Sequence, residues 1–283
     1  MPQIEFAKMH GTGNDFVVFA DFDELLNLDE NAVRKLCDRN FGVGADGVIR
    51  ISRKNGAYFM DYRNADGSIG DMCGNGIRTV GKWLGDRNLA HDEATVDTRS
   101  GVKTLQLRRS ANGAVDSVRV DMGQPKSAVE TVAIDTDFGT HEVSTVSMGN
   151  PHAVMFVDSV GVLEHLDVAG VGSALEKHPH FPAGTNVEFV VVGDNAALLR
   201  TWERGVGETL ACGTGACATV VSSIATGRLQ ASTQPVKVEV LGGVLEIEWQ
   251  EGQSVYMAGP AVEVFRGVIN LDVSLSSETS NEA

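Results

Sequence analysis

Two cysteines in this chain stand where a thiol could do chemistry. Cys73 is followed by Gly74, Asn75 and Gly76, and Cys212 by Gly213, Thr214 and Gly215, so both stretches read Cys-Gly-x-Gly. Each opens onto a helix-compatible run, with Ile77, Val80, Trp83 and Leu84 after the first and Ala216 to Ala225 after the second. A thiol at a helix mouth lies beside exposed backbone N–H groups, and the positive end of the helix dipole favours thiolate over thiol. One such cysteine would carry little weight, because glycine-rich turns that open helices are common and most free cysteines are inert core residues. Two call for a chemistry that uses both.

Inverting a carbon that carries a hydrogen is such a chemistry. A proton leaves one face and another returns to the opposite face, so two acid/base groups must flank the substrate, and tuned thiols suit the task. The carbanion formed next to a carboxylate needs pre-aimed donors. Backbone N–H groups at Gly74, Asn75, Gly213 and Thr214 would offer two helix N-termini to that carboxylate. No lysine stands in a pyridoxal phosphate context and no metal-ligand spacing occurs, so the expected reaction uses no cofactor and no metal.

The rest of the chain must position these groups. Its 283 residues and 42% hydrophobic content suffice for two ordinary domains. A net charge of −15 would repel nucleic acid and anionic membrane, which excludes both as main partners. The start, Met1 to Glu5, has no signal-peptide pattern and no apolar run is long enough to span a bilayer, so the expected location is the cytoplasm. Four cysteines without C-x-x-C spacing fit free thiols better than a disulfide framework. Ile4–Met9 and Phe16–Ala20 read as strands around the turn Gly11 to Asp15, where Asn14 and Asp15 taken alone are turn residues. A helix is expected from Asp29 to Arg39 with Cys37 on its core face, strands at Val48–Ser52 and Ala57–Arg63, and hairpins between Thr95 and Met122. Cys217 is read as a core residue, and Glu203 with Arg204 taken alone as a solvated pair.

The second half retells the first. Gly149-Asn150-Pro151-His152 leads into an apolar run as Gly13-Asn14-Asp15 does, 136 positions earlier; Cys212 follows Cys73 by 139, Gly243 follows Gly101 by 142, and Pro260 follows Pro125 by 135. Four features in one order at nearly one shift argue for an internal duplication, with domains at 1–126 and 127–270 and a polar, disordered tail at 271–283. Two such halves facing each other would aim both thiols into one cleft.

The stretches Met9 to Phe16, Asn64-Ala65-Asp66-Gly67-Ser68, Met72 to Arg78, Gly149 to His152 and Glu203 to Gly215 together resemble the diaminopimelate epimerase family, in the family's order and over residues 4 to 267. The resemblance implies an α+β fold of two pseudo-symmetric domains, each a mostly antiparallel sheet curled around a central helix. It implies cofactor-free interconversion of LL- and meso-2,6-diaminopimelate by a homodimer, with Cys73 and Cys212 as the catalytic pair. Asn14, Asn64, Asn150, Asn186 and Arg204 match substrate-binding positions, Glu203 a residue near the reacting amino group and one thiol, and His152 a supporting proton partner of the other thiol. Gly47 departs from the glutamine of some members, and Thr79 from the cysteine of many. Another two-thiol racemase, a ligand-binding protein or a dithiol redox protein on the same scaffold stay open at this level.

Overall fold

The computed structural model describes residues 3–232 and 234–270; the tail expected at 271–283 lies outside them. The described chain forms two compact units, one of residues 3–11, 15–116 and 261–270 and one of residues 12–14 and 117–260.

In the first unit β1 (Gln3–Gly11) pairs with β2 (Asn14–Ala20) across a turn in which Thr12 (φ 51°) and Gly13 (φ 84°) are both left-handed. Two consecutive residues of that kind are what a tight hairpin demands; Gly13 supplies one at no steric cost, and Thr12 takes the other against the preference of a β-branched side chain. Helix α1 (Glu30–Cys37) starts at Asp29, whose carboxylate accepts from the Ala32 N–H at 2.8 Å, and it buries Ala32, Val33, Leu36 and Cys37. Burial pushes the Cys37 thiol up to about 12, which makes it inert. Next come β3 (Gly47–Lys54), β4 (Ala57–Asn64), β5 (Ile69–Gly70), helix α2 (Gly74–Asp86), β6 (Glu93–Thr98) and β7 (Gly101–Arg109). Strand β2 runs parallel to β3, and β4 to β6, while β3–β4, β4–β5 and β6–β7 are antiparallel.

The second unit repeats this order. It holds β8 (Val115–Gly123, from residue 117), β9 (Glu130–Thr136), β10 (Gly139–Ser147), β11 (Pro151–Phe156), α3 (Val160–His165), α4 (Val168–Glu176), β12 (Asn186–Val192), β13 (Ala196–Glu203), β14 (Gly207–Thr209), α5 (Gly213–Ala225), β15 (Val236–Val240), β16 (Gly243–Glu248) and β17 (Val255–Pro260). Strand β11 is parallel to β12 and β13 to β15, with β12–β13, β13–β14 and β15–β16 antiparallel, the same sequence of pairings as in the first unit. The fold is therefore α+β, with few helices and mostly antiparallel sheet. In both units one helix is buried nearly all round: 11 of 13 residues of α2 and 10 of 13 of α5. Strands β1, β4 and β7 pack on α2, and β10 to β13, β16 and β17 on α5.

The units depart from the boundary expected after residue 126. Strand β18 (Val262–Asn270) returns to pair with β1, from Gln3 opposite Asn270 to His10 opposite Val262, so the last described residues belong to the first unit. Conversely, Ser117 to Gly123 pair with β17 and belong to the second. Such pairings over more than a hundred residues leave no local mark in a sequence.

Asp61 ties the first unit together. It is 1% exposed and accepts from Arg50 at 2.7 Å, Arg63 at 3.1 Å and Arg99. Arg99 also donates to the Gly70 carbonyl at 3.2 Å, on the path toward Cys73. Burial alone would raise the Asp61 carboxyl, but the three arginines outweigh it and hold it below the usual range. Asp61→Ala should cost about 3–5 kcal/mol of unfolding free energy, the loss expected when one member of a buried ion cluster is removed, read from urea denaturation.

Candidate active site

Each of the two thiols caps a buried helix. Cys73 has extended backbone angles (φ −129°, ψ 122°) and its Sγ accepts from the Gly76 N–H at 3.4 Å; Cys212 (φ −113°, ψ 112°) accepts from the Gly215 N–H at the same 3.4 Å. The second glycine of the motif is a packing requirement. A Cβ on Gly76 would sit 2.9 Å from Ile49 Cδ1 and Met60 Cε, and one on Gly215 would sit 2.7 Å from Glu188 Oε1. Only glycine lets the helix start that close to the sheet. Gly74 and Gly213, the first helical residues, and Asn75 and Thr214 after them present N–H groups that have no carbonyl to bond within their helix.

In the first unit Asn64 ends β4 in a turn. Its backbone N–H bonds the Ser68 carbonyl at 2.9 Å, its amide donates to Ser68 Oγ at 2.9 Å, and its Oδ1 accepts from the Tyr62 hydroxyl at 2.7 Å. Asn75 is buried, and Thr79 donates to the Gly76 carbonyl at 2.7 Å. A Cβ on Gly47 would lie 2.6 Å from the Arg63 carbonyl oxygen, so a glutamine would not fit here without a backbone shift.

In the second unit a continuous polar group surrounds Cys212. Its sulfur lies 3.5 Å from Thr214 Oγ1 and within hydrogen-bond reach of the Glu203 carboxylate, which also accepts from Thr209 Oγ1 at 2.6 Å. Asn150 donates to Thr214 Oγ1 at 3.3 Å and offers its Oδ1 to His152 Nε2 at 3.1 Å; His152 Nδ1 is 2.8 Å from Glu188 Oε1. Asn186 spends one amide N–H on the Pro151 carbonyl and one Oδ1 lone pair on the Arg204 N–H, both at 3.0 Å. The exposed Arg204 guanidinium reaches the Ala183 carbonyl at 3.0 Å. Asn14 opens β2 and belongs to this unit, as part of the 12–14 turn.

The electrostatics at Cys212 differ from those expected of a helix mouth. Burial, followed by the charges of Glu203 and Glu188, pushes its thiol well above the ordinary range, and the opposing hydrogen bonds from Thr214 and Gly215 are smaller. Burial also raises Glu203, with Glu188 adding to it, against the donors Thr209 and Cys212. Both shifts favour the protonated forms, of the thiol and of the carboxyl, and at Cys212 they run against the pull of the helix mouth toward thiolate.

Glu188, Glu176, Thr209 and Tyr62 escaped sequence reasoning. Glu176 accepts from Trp202 Nε1 at 2.7 Å and from the Gly205 N–H at 2.9 Å, and so holds the Glu203–Gly205 bend. For Glu188 a signal existed: one carboxylate inside the apolar run Asn186-Val-Glu-Phe-Val-Val-Val. The other three carry no such mark.

The architecture is that of the proline racemase fold. A probable proline racemase from Agrobacterium radiobacter superposes with a TM-score of 0.73 at 18% identity, over 95% of this chain and 93% of that one. That likeness establishes the fold. The diaminopimelate epimerase family profile matches residues 6–128 and 144–264. Proteins named diaminopimelate epimerase from Leptospira biflexa and Acetivibrio thermocellus are 45% and 42% identical, over 95% of this chain and 100% and 99% of theirs. The chain belongs to the diaminopimelate epimerase family.

If the two carboxylates keep Cys212 protonated, Glu203→Gln should bring its thiolate ultraviolet absorbance to lower pH, measured in each background as a difference against Cys212→Ser. Wild-type protein should show no Cys212 thiolate at neutral pH.

Proposed function

We propose that this protein is a diaminopimelate epimerase that interconverts the LL and meso stereoisomers of 2,6-diaminopimelate without a cofactor, with Cys73 and Cys212 as its two acid/base groups. The observation that carries the proposal is the repetition of one device, a sulfur capping a buried helix, at equivalent points of two units of equivalent topology. One thiolate takes the α-proton, the electron pair left on carbon delocalises into the adjacent carboxylate, and the other thiol returns a proton to the opposite face. The sulfurs finish with their protonation states exchanged. With Cys212 protonated at rest, the first turnover takes its proton from Cys212 and delivers the substrate's to Cys73. For the next turnover in the same direction Cys73 releases its proton to solvent and Cys212 regains one from solvent, with Glu203 beside that sulfur as the relay.

The N–H groups of Gly74, Asn75, Gly213 and Thr214 receive the charge that develops on the carboxylate at the reacting centre. Asn14, Asn64, Asn150, Asn186 and Arg204 grip the remaining amine and carboxylate, Arg204 by bidentate pairing; Asn186, through its bond to the Arg204 N–H, also sets where that arginine stands. His152 supports proton transfer at the thiol pair, and it is linked to Cys212 through Asn150 and Thr214. Diaminopimelate is the partner that this site fits. The chain works as a homodimer, for which exposed Val264, Phe265 and Val268 of β18 supply apolar surface, and it works in the cytoplasm, away from nucleic acid and membrane. No helix among the described residues is long and apolar enough to cross a bilayer.

In D2O, wild-type protein given LL-diaminopimelate should place solvent deuterium at one α-carbon while forming the meso isomer. Cys73→Ala and Cys212→Ala should each lower epimerisation by at least about 10²–10⁴-fold, the usual worth of one positioned acid or base. Undiminished epimerisation in either variant would remove that thiol from the mechanism.

A further inference from the structure

The His152–Glu188 pair is fully buried, and the same positions in the first unit are apolar. Glu188 lies 139 positions after Ile49, the spacing that also separates Cys212 from Cys73 and Gly215 from Gly76. The packing confirms the equivalence: a Cβ on the third helical residue, a glycine in both, would meet Ile49 Cδ1 in one unit and Glu188 Oε1 in the other. His152 stands opposite Asn186 in the parallel β11–β12 ladder, as Phe16 stands opposite Gly47 in β2–β3. A phenylalanine and an isoleucine, both 0% exposed, therefore fill in the first unit what an imidazole and a carboxylate fill in the second. Packing does not require the ionisable pair, and Glu188 Oε2 has no hydrogen-bond partner among the described residues, a costly state for a buried carboxylate.

The donor directions suggest what the pair is for. A carboxylate only accepts, so the proton between Glu188 Oε1 and His152 lies on Nδ1. An amide oxygen also only accepts, so in the arrangement with Asn150 Oδ1 facing His152 Nε2 that nitrogen donates too, and this arrangement calls for an imidazolium balanced by Glu188. The Asn150 amide then donates to Thr214 Oγ1, which leaves the threonine hydroxyl proton to point at Cys212 Sγ, 3.5 Å away. With a neutral ring unprotonated at Nε2, the Asn150 amide would turn over, donate to the imidazole and accept from Thr214, and the sulfur would lose its donor. The other charged neighbour of this group, Glu203, contacts the sulfur from β13, and α5 contributes no charged side chain.

We infer that Glu188 is a positioning residue: it holds His152 doubly protonated and so, through Asn150 and Thr214, aims a hydroxyl proton at the Cys212 sulfur. This deepens the proposed function and rests on it for its kinetic arm only. The donor stabilises the thiolate that Cys212 becomes after it gives up its proton, so its loss is felt in turnover more than in substrate binding.

The test uses full-length protein and three variants, Glu188→Gln, His152→Phe and the double variant His152→Phe/Glu188→Ile, which rebuilds the apolar pair of the first unit. In wild type the nitrogen NMR spectrum at neutral pH should show both His152 ring nitrogens protonated, and in Glu188→Gln one of them should lose its proton. This readout stands whether or not diaminopimelate is the substrate. Epimerisation by Glu188→Gln should fall about tenfold in kcat with KM changed less than about threefold, the size expected for one charge-assisted hydrogen bond chain acting in the transition state. The double variant should melt no lower than His152→Phe, because an apolar pair replaces a buried ionic one, yet turn over no faster. A wild-type His152 with one bare nitrogen would overturn the proposal, as would wild-type kcat in Glu188→Gln or in the double variant.

Discussion

The position of each sulfur depends on a helix that starts inside a sheet. A thiolate or thiol accepting an N–H at 3.4 Å is a weak cap, worth less than the ~1 kcal/mol of an oxygen cap. It cannot by itself fix a side chain. What fixes it is the helix behind it: 11 buried residues in α2 and 10 in α5, each wedged against strands so closely that its third residue has no room for a methyl group. The sulfur is placed by the packing of a whole element, and the cap bond only selects its rotamer. Scaffold and chemistry meet in the four residues Cys-Gly-x-Gly.

Magnitudes decide the charge state of Cys212. A helix dipole contributes typically 0.3–1 kcal/mol and at most about 2 in partly buried sites. Burying an anion without a counter-charge costs several kcal/mol, and two carboxylates at the same site add repulsion. Burial therefore outweighs the dipole, and the Cys212 thiol is pushed well above its ordinary range although a helix mouth by itself favours thiolate. The dipole and the Thr214 contact favour the anion, and so act only once a proton has left the sulfur.

Much of the frame was legible in the sequence, because it is written in local spacing: the α1 cap at Asp29, the hairpins around Gly101 and Gly113, both Cys-Gly-x-Gly mouths and the repeat at about half the chain length. The unit boundary was not, since it turns on β18 finding β1 across the whole chain, a choice of register with no local signature. Helices α3 and α4 drew no assignment; both are short, and α4 has glycine at two of its nine positions. The partners of the site residues were hidden for a similar reason. Glu176 reaches Gly205 and Tyr62 reaches Asn64 through folded proximity alone, whereas Glu188 could have been noticed as a charge where the repeat places an isoleucine.

That last contrast separates the two halves of the duplication. The halves share topology, helix caps and even the glycine that admits each helix to its sheet. They differ where the sheet meets the helix: Phe16 and Ile49 in one, His152 and Glu188 in the other, with Glu203 added beside Cys212. Geometry has been copied and electrostatics changed. Two units of one topology thus carry the same capping sulfur, and at Cys212 burial and the charges of Glu203 and Glu188 push the thiol up although the helix start behind it is built like the one that Cys73 caps.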